Sequence, residues 1–255
     1  MKFLPFLAFL AMMFGAPALA EEVVASPDGT ITVTVDVNGE GRPFYRIDKG
    51  GNAVFTESRL GFLLTDQDKL ERRLAIAGTT RKSHDETWEQ PWGEQRFVRD
   101  HHNELTVRFE EDSDEKRRFG VTFRVFDDAV AFRYVFDDRS MGETLRVADE
   151  LTEFNLAQDG TAWWIPGGEW NRYEYLYERT PISALSTVHT PVTMVLENGT
   201  HVSFHEAALV DYSGMWLRRM EGTRLRAQLS PNPRGPKVVR KGAFNTPWRT
   251  IQIAD

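Results

Sequence analysis

A chain of 255 residues with 31 basic and 38 acidic side chains carries a net charge of −7, which argues against the basic surface that nucleic-acid binding needs. It has no cysteine, so no disulfide supports the fold. The length suits one large domain or two small ones and is enough to bury a core without cross-links.

The chain opens with Lys2, an almost wholly apolar run from Phe3 to Phe14, and the small-x-small triplet Ala18-Leu19-Ala20. This is the pattern of a secretory signal peptide cleaved after Ala20. The run is too short for a stable membrane span, and no later run approaches its length, so an exported protein without a membrane span is expected. Removing residues 1–20 takes away Lys2 and no acid, leaving 30 basic against 38 acidic residues. That balance suits a neutral ligand such as a sugar, or a cation.

From residue 21 onwards strand signals dominate. Ile31, Val33, Val35 and Val37 alternate with Thr30, Thr32, Thr34 and Asp36, the pattern of a half-buried strand, and Asn38-Gly39 turns the chain towards Pro43 to Ile47. Asp66 to Leu74 is the one stretch that reads as a short helix. Phe119, Val121, Phe123 and Val125 line one face of a further strand; Asp127-Asp128 turns it back through Val130, Phe132, Tyr134 and Phe136. Val192 to Leu196 and Val202 to Phe204 flank Asn198-Gly199, a strong hairpin signal that also explains the sequon Asn198-Gly199-Thr200. Ser230 to Pro236 must be a loop, and Phe244 to Ile253 reads as one strand interrupted by Pro247. Many short strands at close turn spacing predict an all-β fold, a large β-sandwich forming one domain over residues 21–255. Thr250 to Ile253 alternates like a strand up to the chain end at Asp255, as if cut at a domain boundary.

Three clusters are candidates for chemistry. Glu86-Thr87-Trp88-Glu89-Gln90-Pro91-Trp92-Gly93-Glu94 places two indoles among carboxylates in a stretch broken by Pro and Gly. It reads either as a loop whose Trp88, Glu89 and Trp92 border a sugar, or as two indoles anchoring a loop onto the sandwich. Trp163-Trp164-Ile165-Pro166, Trp170 and the alternating Tyr173, Tyr175 and Tyr177 form aromatic rows that suit a sugar face, though packing between sheets is the commoner reason for such a row. In the strand around Ser203 to Tyr212, Glu206 shares a face with Val202, Phe204 and Ala208. A carboxylate there is costly unless paired, hydrogen-bonded or metal-bound, so Glu206 either stands at the strand end, reaching into a cleft, or breaks the pattern for a functional reason, and its oxygens make it a candidate hard-cation ligand. His205-Glu206 is not a zinc-protease motif, because Leu209 stands where a second histidine is needed. Glu150 and Glu153 suggest a catalytic acid pair, but the chain is rich in acids and nothing in the sequence places these two across a cleft, so no catalytic role is assigned to them.

Several stretches taken together resemble the N-terminal domain of glycoside hydrolase family 97, an α-glucosidase and α-galactosidase family. They are Glu86 to Glu94, Asn103-Glu104-Leu105, Ala162 to Pro166, Tyr173 to Tyr177, His205 to Leu209 with Asp211 to Met215, and Thr246 to Thr250. The resemblance spans nearly all of the chain after the signal segment. It implies a galactose-mutarotase-like supersandwich, which in full-length members precedes a (β/α)8 barrel carrying the catalytic carboxylates. It also implies that Glu206 helps hold a calcium ion whose other ligands belong to that barrel. The barrel is absent from this sequence, so no catalytic residue is assigned to the chain and calcium is expected only together with the barrel's ligands. His189, where relatives are expected to carry asparagine, is implied to border the sugar. The expected partners are an α-linked oligosaccharide or glycoside and the barrel, with no nucleic acid, in the periplasm. Two other functions are compatible with the residues. One is a free-standing sugar-binding module. The other is a mutarotase-like epimerase, which needs a histidine acid and a carboxylate base facing one sugar.

Overall fold

The alternation seen in the sequence builds the sheets. In the strand Ile31–Val37 the side chains of Ile31, Val33 and Val35 are fully buried while Thr32 and Asp36 are half-exposed. The Asn38 side chain then accepts hydrogen bonds from the Glu40 and Arg42 N–H groups, closing the turn into Pro43–Lys49. The structure is a computed structural model that describes residues 21–169 and 171–255. The signal-like segment and Trp170 lie outside the described residues.

A ten-stranded sheet forms the main layer. Across it run Glu178–Pro181, Gly160–Trp164, Val192–Leu196, His201–Ala207, Trp248–Ala254, Ala129–Phe136, Arg118–Val125, Phe97–Glu111 and Leu74–Glu89, with Phe244–Asn245 also paired to Ala129–Phe136. Neighbours in this sheet are antiparallel. Smaller sheets cover one face. One holds Glu22–Ala25, Ile31–Val37, Pro43–Lys49 and Asn52–Arg59, and another Glu153–Asn155, Arg224–Leu229, Met215–Glu221 and Thr187–Val188. The third is three-stranded, with Thr144–Glu150 between Val238–Lys241 and Phe62–Leu64. Aromatic contacts join the layers: Tyr45 lies 5.7 Å from Phe123, Phe62 4.5 Å from Tyr134, and Phe204 5.9 Å and 5.3 Å from Phe55 and Phe154. One apolar core runs between the layers, making the chain an all-β sandwich. Among the described residues no helix is long and apolar enough to cross a membrane.

Four local expectations are corrected. Asp66 to Leu74 is not a helix. Its only apolar residues are Leu70 and Leu74, one pair four apart and too short a stripe to support helix formation. Instead Leu70 is fully buried and exchanges both backbone hydrogen bonds with Phe62 at 3.0 Å. Gly61 permits that approach, because the Leu70 carbonyl stands 2.6 Å from where a Cβ would sit. Glu86 to Glu89 is not loop: the strand Leu74–Glu89 continues through it, and Pro91 and Gly93 confine the turn to residues between this strand and Phe97–Glu111. Phe244 to Ile253 is two strands, Phe244–Asn245 and Trp248–Ala254, divided at Pro247 because proline offers no N–H to a ladder. The tyrosine row does not pack between sheets. Residues 171–177 form no strand, Tyr173 and Tyr177 are exposed, and Leu176 is 91% exposed.

The core contacts set a stability expectation. Phe204→Ala should destabilise the fold by about 3–5 kcal/mol in urea unfolding. Trp92→Ala, at 83% exposure, should stay within about 0.5 kcal/mol of the parent.

Candidate functional site

Glu206 lies on the strand His201–Ala207, directly opposite Arg249 of Trp248–Ala254. The inward face of the first strand also carries Val202 and Phe204, and that of the second Ile251 and Ile253, all buried. Ala208 does not extend this face, because the strand ends at Ala207 and Ala208 turns to a φ of 54°. Two opposed ionisable residues therefore interrupt an apolar seam in the middle of the main sheet.

Arg249 is completely buried and bridges two carboxylates. Its Nη1 donates to Glu206 Oε1, and its Nη2 donates to Glu150 Oε1 at 2.5 Å. Glu150 is also completely buried and has further donors: Tyr212 OH reaches Oε1 at 2.9 Å and Thr152 Oγ1 reaches Oε2 at 3.0 Å. Behind Thr152 stands Tyr134 OH at 2.7 Å, which accepts the Gly61 N–H. The second oxygen of Glu206 accepts the Met215 N–H at 2.8 Å, and 8% of its side chain remains exposed. Glu150 and Arg249 are thus sealed in, while Glu206 sits at the edge of the network.

Charge does not balance in this network. One guanidinium faces two carboxylates, a surplus of one negative charge. Burial opposes the charge on Arg249, but Glu150 and Glu206 outweigh it and raise the arginine's pKa. For Glu206 burial dominates. It raises the pKa above the usual carboxylate value against the pull of Arg249 and the Met215 N–H, and Glu150 adds to the rise. The chain leaving Glu206 is also strained. Ala208 and Asp211, neither of them glycine, adopt φ of 54° and 50°, and Arg240 pairs with Asp211 to hold the turn. Such backbone costs about 1–3 kcal/mol per residue and collects at functional sites.

His189 borders the same region. It is buried, its ring meets Tyr173 edge-on at 4.5 Å, and Trp216, the residue after Met215, lies 5.9 Å away on another side. Burial lowers its pKa, favouring the neutral imidazole, and its Nε2 has no hydrogen-bond partner. Trp88, Glu89 and Trp92 are elsewhere. They sit at the tip of the hairpin made by Leu74–Glu89 and Phe97–Glu111, at the edge of the main sheet five strands from Glu206, or roughly 24 Å at the usual strand spacing. Both indoles are exposed, so neither anchors the hairpin onto the sandwich, and Glu89 pairs with Arg96 at 2.8 Å.

Arg249 and Glu150 were not singled out by the sequence. Arg249 was legible, because it stands two residues before Ile251 on the same face, as Glu206 stands two after Phe204. Glu150 was not. A register shift between Val147 and Asp149 changes the alternation, so strict counting from Leu145 and Val147 would turn Asp149 inward and Glu150 out.

Among the described residues no group of three His, Asp or Glu side chains is placed to hold a metal ion. The chain's own donor set at this site is the single carboxylate Glu206, since Glu150 is completely buried and held by three donors, whereas Glu206 has two and keeps 8% of its side chain exposed. It fits one ligand position of an oxygen-liganded cation site and not a complete one.

Removing the cation from this network should expose its cost. Arg249→Met leaves two buried carboxylates without a cation to neutralise them and should destabilise the fold by about 3–5 kcal/mol in urea unfolding at neutral pH. A loss below about 1 kcal/mol would contradict the burial described here.

Known proteins share this architecture. A glycoside hydrolase family 97 enzyme from Pseudoalteromonas sp. strain K8, solved with panose and with acarbose, superposes with a TM-score of 0.87 at 39% identity, over 91% of this chain and 35% of that one. A retaining α-galactosidase of Bacteroides thetaiotaomicron is 27% identical over 249 residues, covering 92% of this chain and 36% of that protein. A probable retaining α-galactosidase of Streptomyces bingchenggensis is 31% identical over 217 residues, covering 82% of this chain and 32% of its own length. The chain therefore spans about a third of the length of the relatives it matches. The family profile described as glycosyl-hydrolase 97 N-terminal matches residues 24–255, so the chain belongs to the N-terminal domain family of the glycoside hydrolase family 97 enzymes.

Proposed function

We propose that this chain is the β-sandwich domain of an exported glycoside hydrolase acting on α-linked oligosaccharides or glycosides. In this reading it supports a catalytic barrel and contributes Glu206 to a calcium site that the barrel completes. The observation that carries the reading is the surplus negative charge at Glu206. A buried arginine and a backbone N–H hold this carboxylate at the edge of an otherwise sealed network. A structural ion pair needs one carboxylate for one guanidinium, and Glu150 already fills that place. Bound calcium would stabilise negative charge that develops on the substrate side of the site. The chain's part is to present one carboxylate oxygen donor from a rigid strand.

The length relation supports the division of labour. Hydrolysis with either stereochemical outcome needs a pair of carboxyl groups flanking the scissile bond. The acids at the site described here, Glu150 and Glu206, are both bound to the same guanidinium and do not face an open cleft between them. Trp88, Glu89 and Trp92 on the exposed hairpin, and His189 beside Tyr173 and Trp216, are the surfaces we assign to sugar or to the barrel's sugar-facing rim. The signal-like segment at residues 1–20 supports export to the periplasm.

A free-standing sugar-binding role has one observation in its favour, the exposure of Trp88, Trp92, Tyr173 and Tyr177 on this chain. The epimerase role has less. Among the described residues, histidine–carboxylate pairs within 4.0 Å involve only His84, His101 and His102, along the hairpin and not beside Glu206.

The purified chain should not hydrolyse an aryl α-glucoside or α-galactoside above the blank rate; turnover would contradict the proposal. Isothermal titration should find calcium binding on the order of 1 mM or weaker, because one carboxylate is too few. Micromolar binding that survives Glu206→Gln would place the site elsewhere. A monomer binding maltose or a galactoside with tryptophan quenching, lost in Trp88→Ala, would favour the free-standing module.

A further inference from the structure

The network around Arg249 has an order in it. Glu150 is held from three sides, by Arg249, Tyr212 and Thr152, and Thr152 is in turn backed by Tyr134 and Gly61. Arg249 is fully buried and takes its orientation from Glu150 on one side and Glu206 on the other. Glu206 has only two partners, Arg249 on one oxygen and the Met215 N–H on the other. The two donors lie on different sheets: Arg249 on the main sheet, Met215 on the covering sheet. Together they fix the plane of the Glu206 carboxylate where the two layers meet.

We propose that Arg249, anchored by Glu150, is a positioning residue for Glu206. The chain of dependence runs from Glu150 to Arg249 to Glu206 and not the reverse. Glu150 neutralises the arginine inside the core and Glu206 is the added charge. Removing Glu206 leaves a buried one-to-one ion pair in which Glu150 keeps its hydrogen bonds to Arg249 Nη2, Tyr212 and Thr152, whereas removing Glu150 strips the anchor from both remaining partners. The arginine's two amino groups suit this role, since a lysine ammonium has no rigid fork with which to bridge two carboxylates in fixed directions. The functional importance of this positioning rests on the proposed outward role of Glu206. The positioning itself is measurable without any cation.

Three variants of the chain test it, with denaturant unfolding and amide hydrogen exchange as readouts. Glu206→Ala should raise the unfolding equilibrium constant by less than about tenfold, and Glu150→Gln by about a hundredfold or more. Arg249→Lys keeps the charge and should accelerate exchange of the Met215 amide, the one bonded to Glu206, by about tenfold relative to the Leu217 amide in the same strand. Equal costs for Glu206→Ala and Glu150→Gln would overturn the proposal, because the three residues would then be a symmetric structural triad. So would an unchanged Met215 amide in Arg249→Lys. Should Glu150→Gln not fold, its cost is larger still, and the other two variants decide. Failure here is separable from failure of the calcium reading. The exchange measurement contains no calcium, and calcium titration of the Glu206 variant does not depend on how the carboxylate is held.

Discussion

A single guanidinium, buried between two carboxylates where the sheets meet, organises the part of this molecule that is not simply core. Burying Arg249 is tolerable only because Glu150 neutralises it and Tyr212 and Thr152 satisfy Glu150 in turn. With that pair in place, a second carboxylate becomes affordable at the rim. Glu206 is therefore not an isolated charge on an apolar strand but the outermost member of a network that begins deep in the sandwich. The same contacts tie the main sheet, through Arg249, to the covering layer, through Glu150 and the Met215 N–H.

The fold supplies the rigidity that such a network needs. The strands carrying Glu206 and Arg249 sit in the interior of the main sheet, paired on both sides. Phe204 next to the site packs against Phe55 and Phe154 of the covering layer. The strained turn after Ala207 then carries the chain away within a few residues, so the carboxylate stands at a strand end and not under a continuing strand. The strained residues Ala208 and Asp211, a surplus carboxylate and the buried imidazole of His189, whose Nε2 has no partner, lie towards the same end of the main sheet. The exposed aromatic hairpin projects from a different edge.

Much of this was legible in the sequence because period-two alternation directly reports a face. The strands at Ile31–Val37, Arg118–Val125, Ala129–Phe136 and the hairpin through Asn198-Gly199 follow from it, and so does the anomaly of Glu206. What alternation could not give was anything that depends on register or on partners from distant segments. Glu150 faces the core because of a register shift. Leu70 is buried by a bridge to Phe62 and not by a helical stripe. The indoles of Trp88 and Trp92 are exposed because proline and glycine close a hairpin around them, whereas composition alone suggested a loop. The pairing of Glu206 with Arg249, 43 residues away, needed the order of strands in the sheet.

The central claim is that Glu206 serves as one oxygen ligand of a calcium ion shared with residues outside this chain. It is tested most directly by a crystal structure of the full encoded protein in calcium, with an anomalous difference map. The account predicts a peak about 2.3–2.6 Å from a Glu206 carboxylate oxygen, with Arg249 still bridging Glu206 and Glu150. A calcium peak whose ligands exclude Glu206, or a Glu206 that contacts only Arg249 and Met215 when the site is filled, would contradict it.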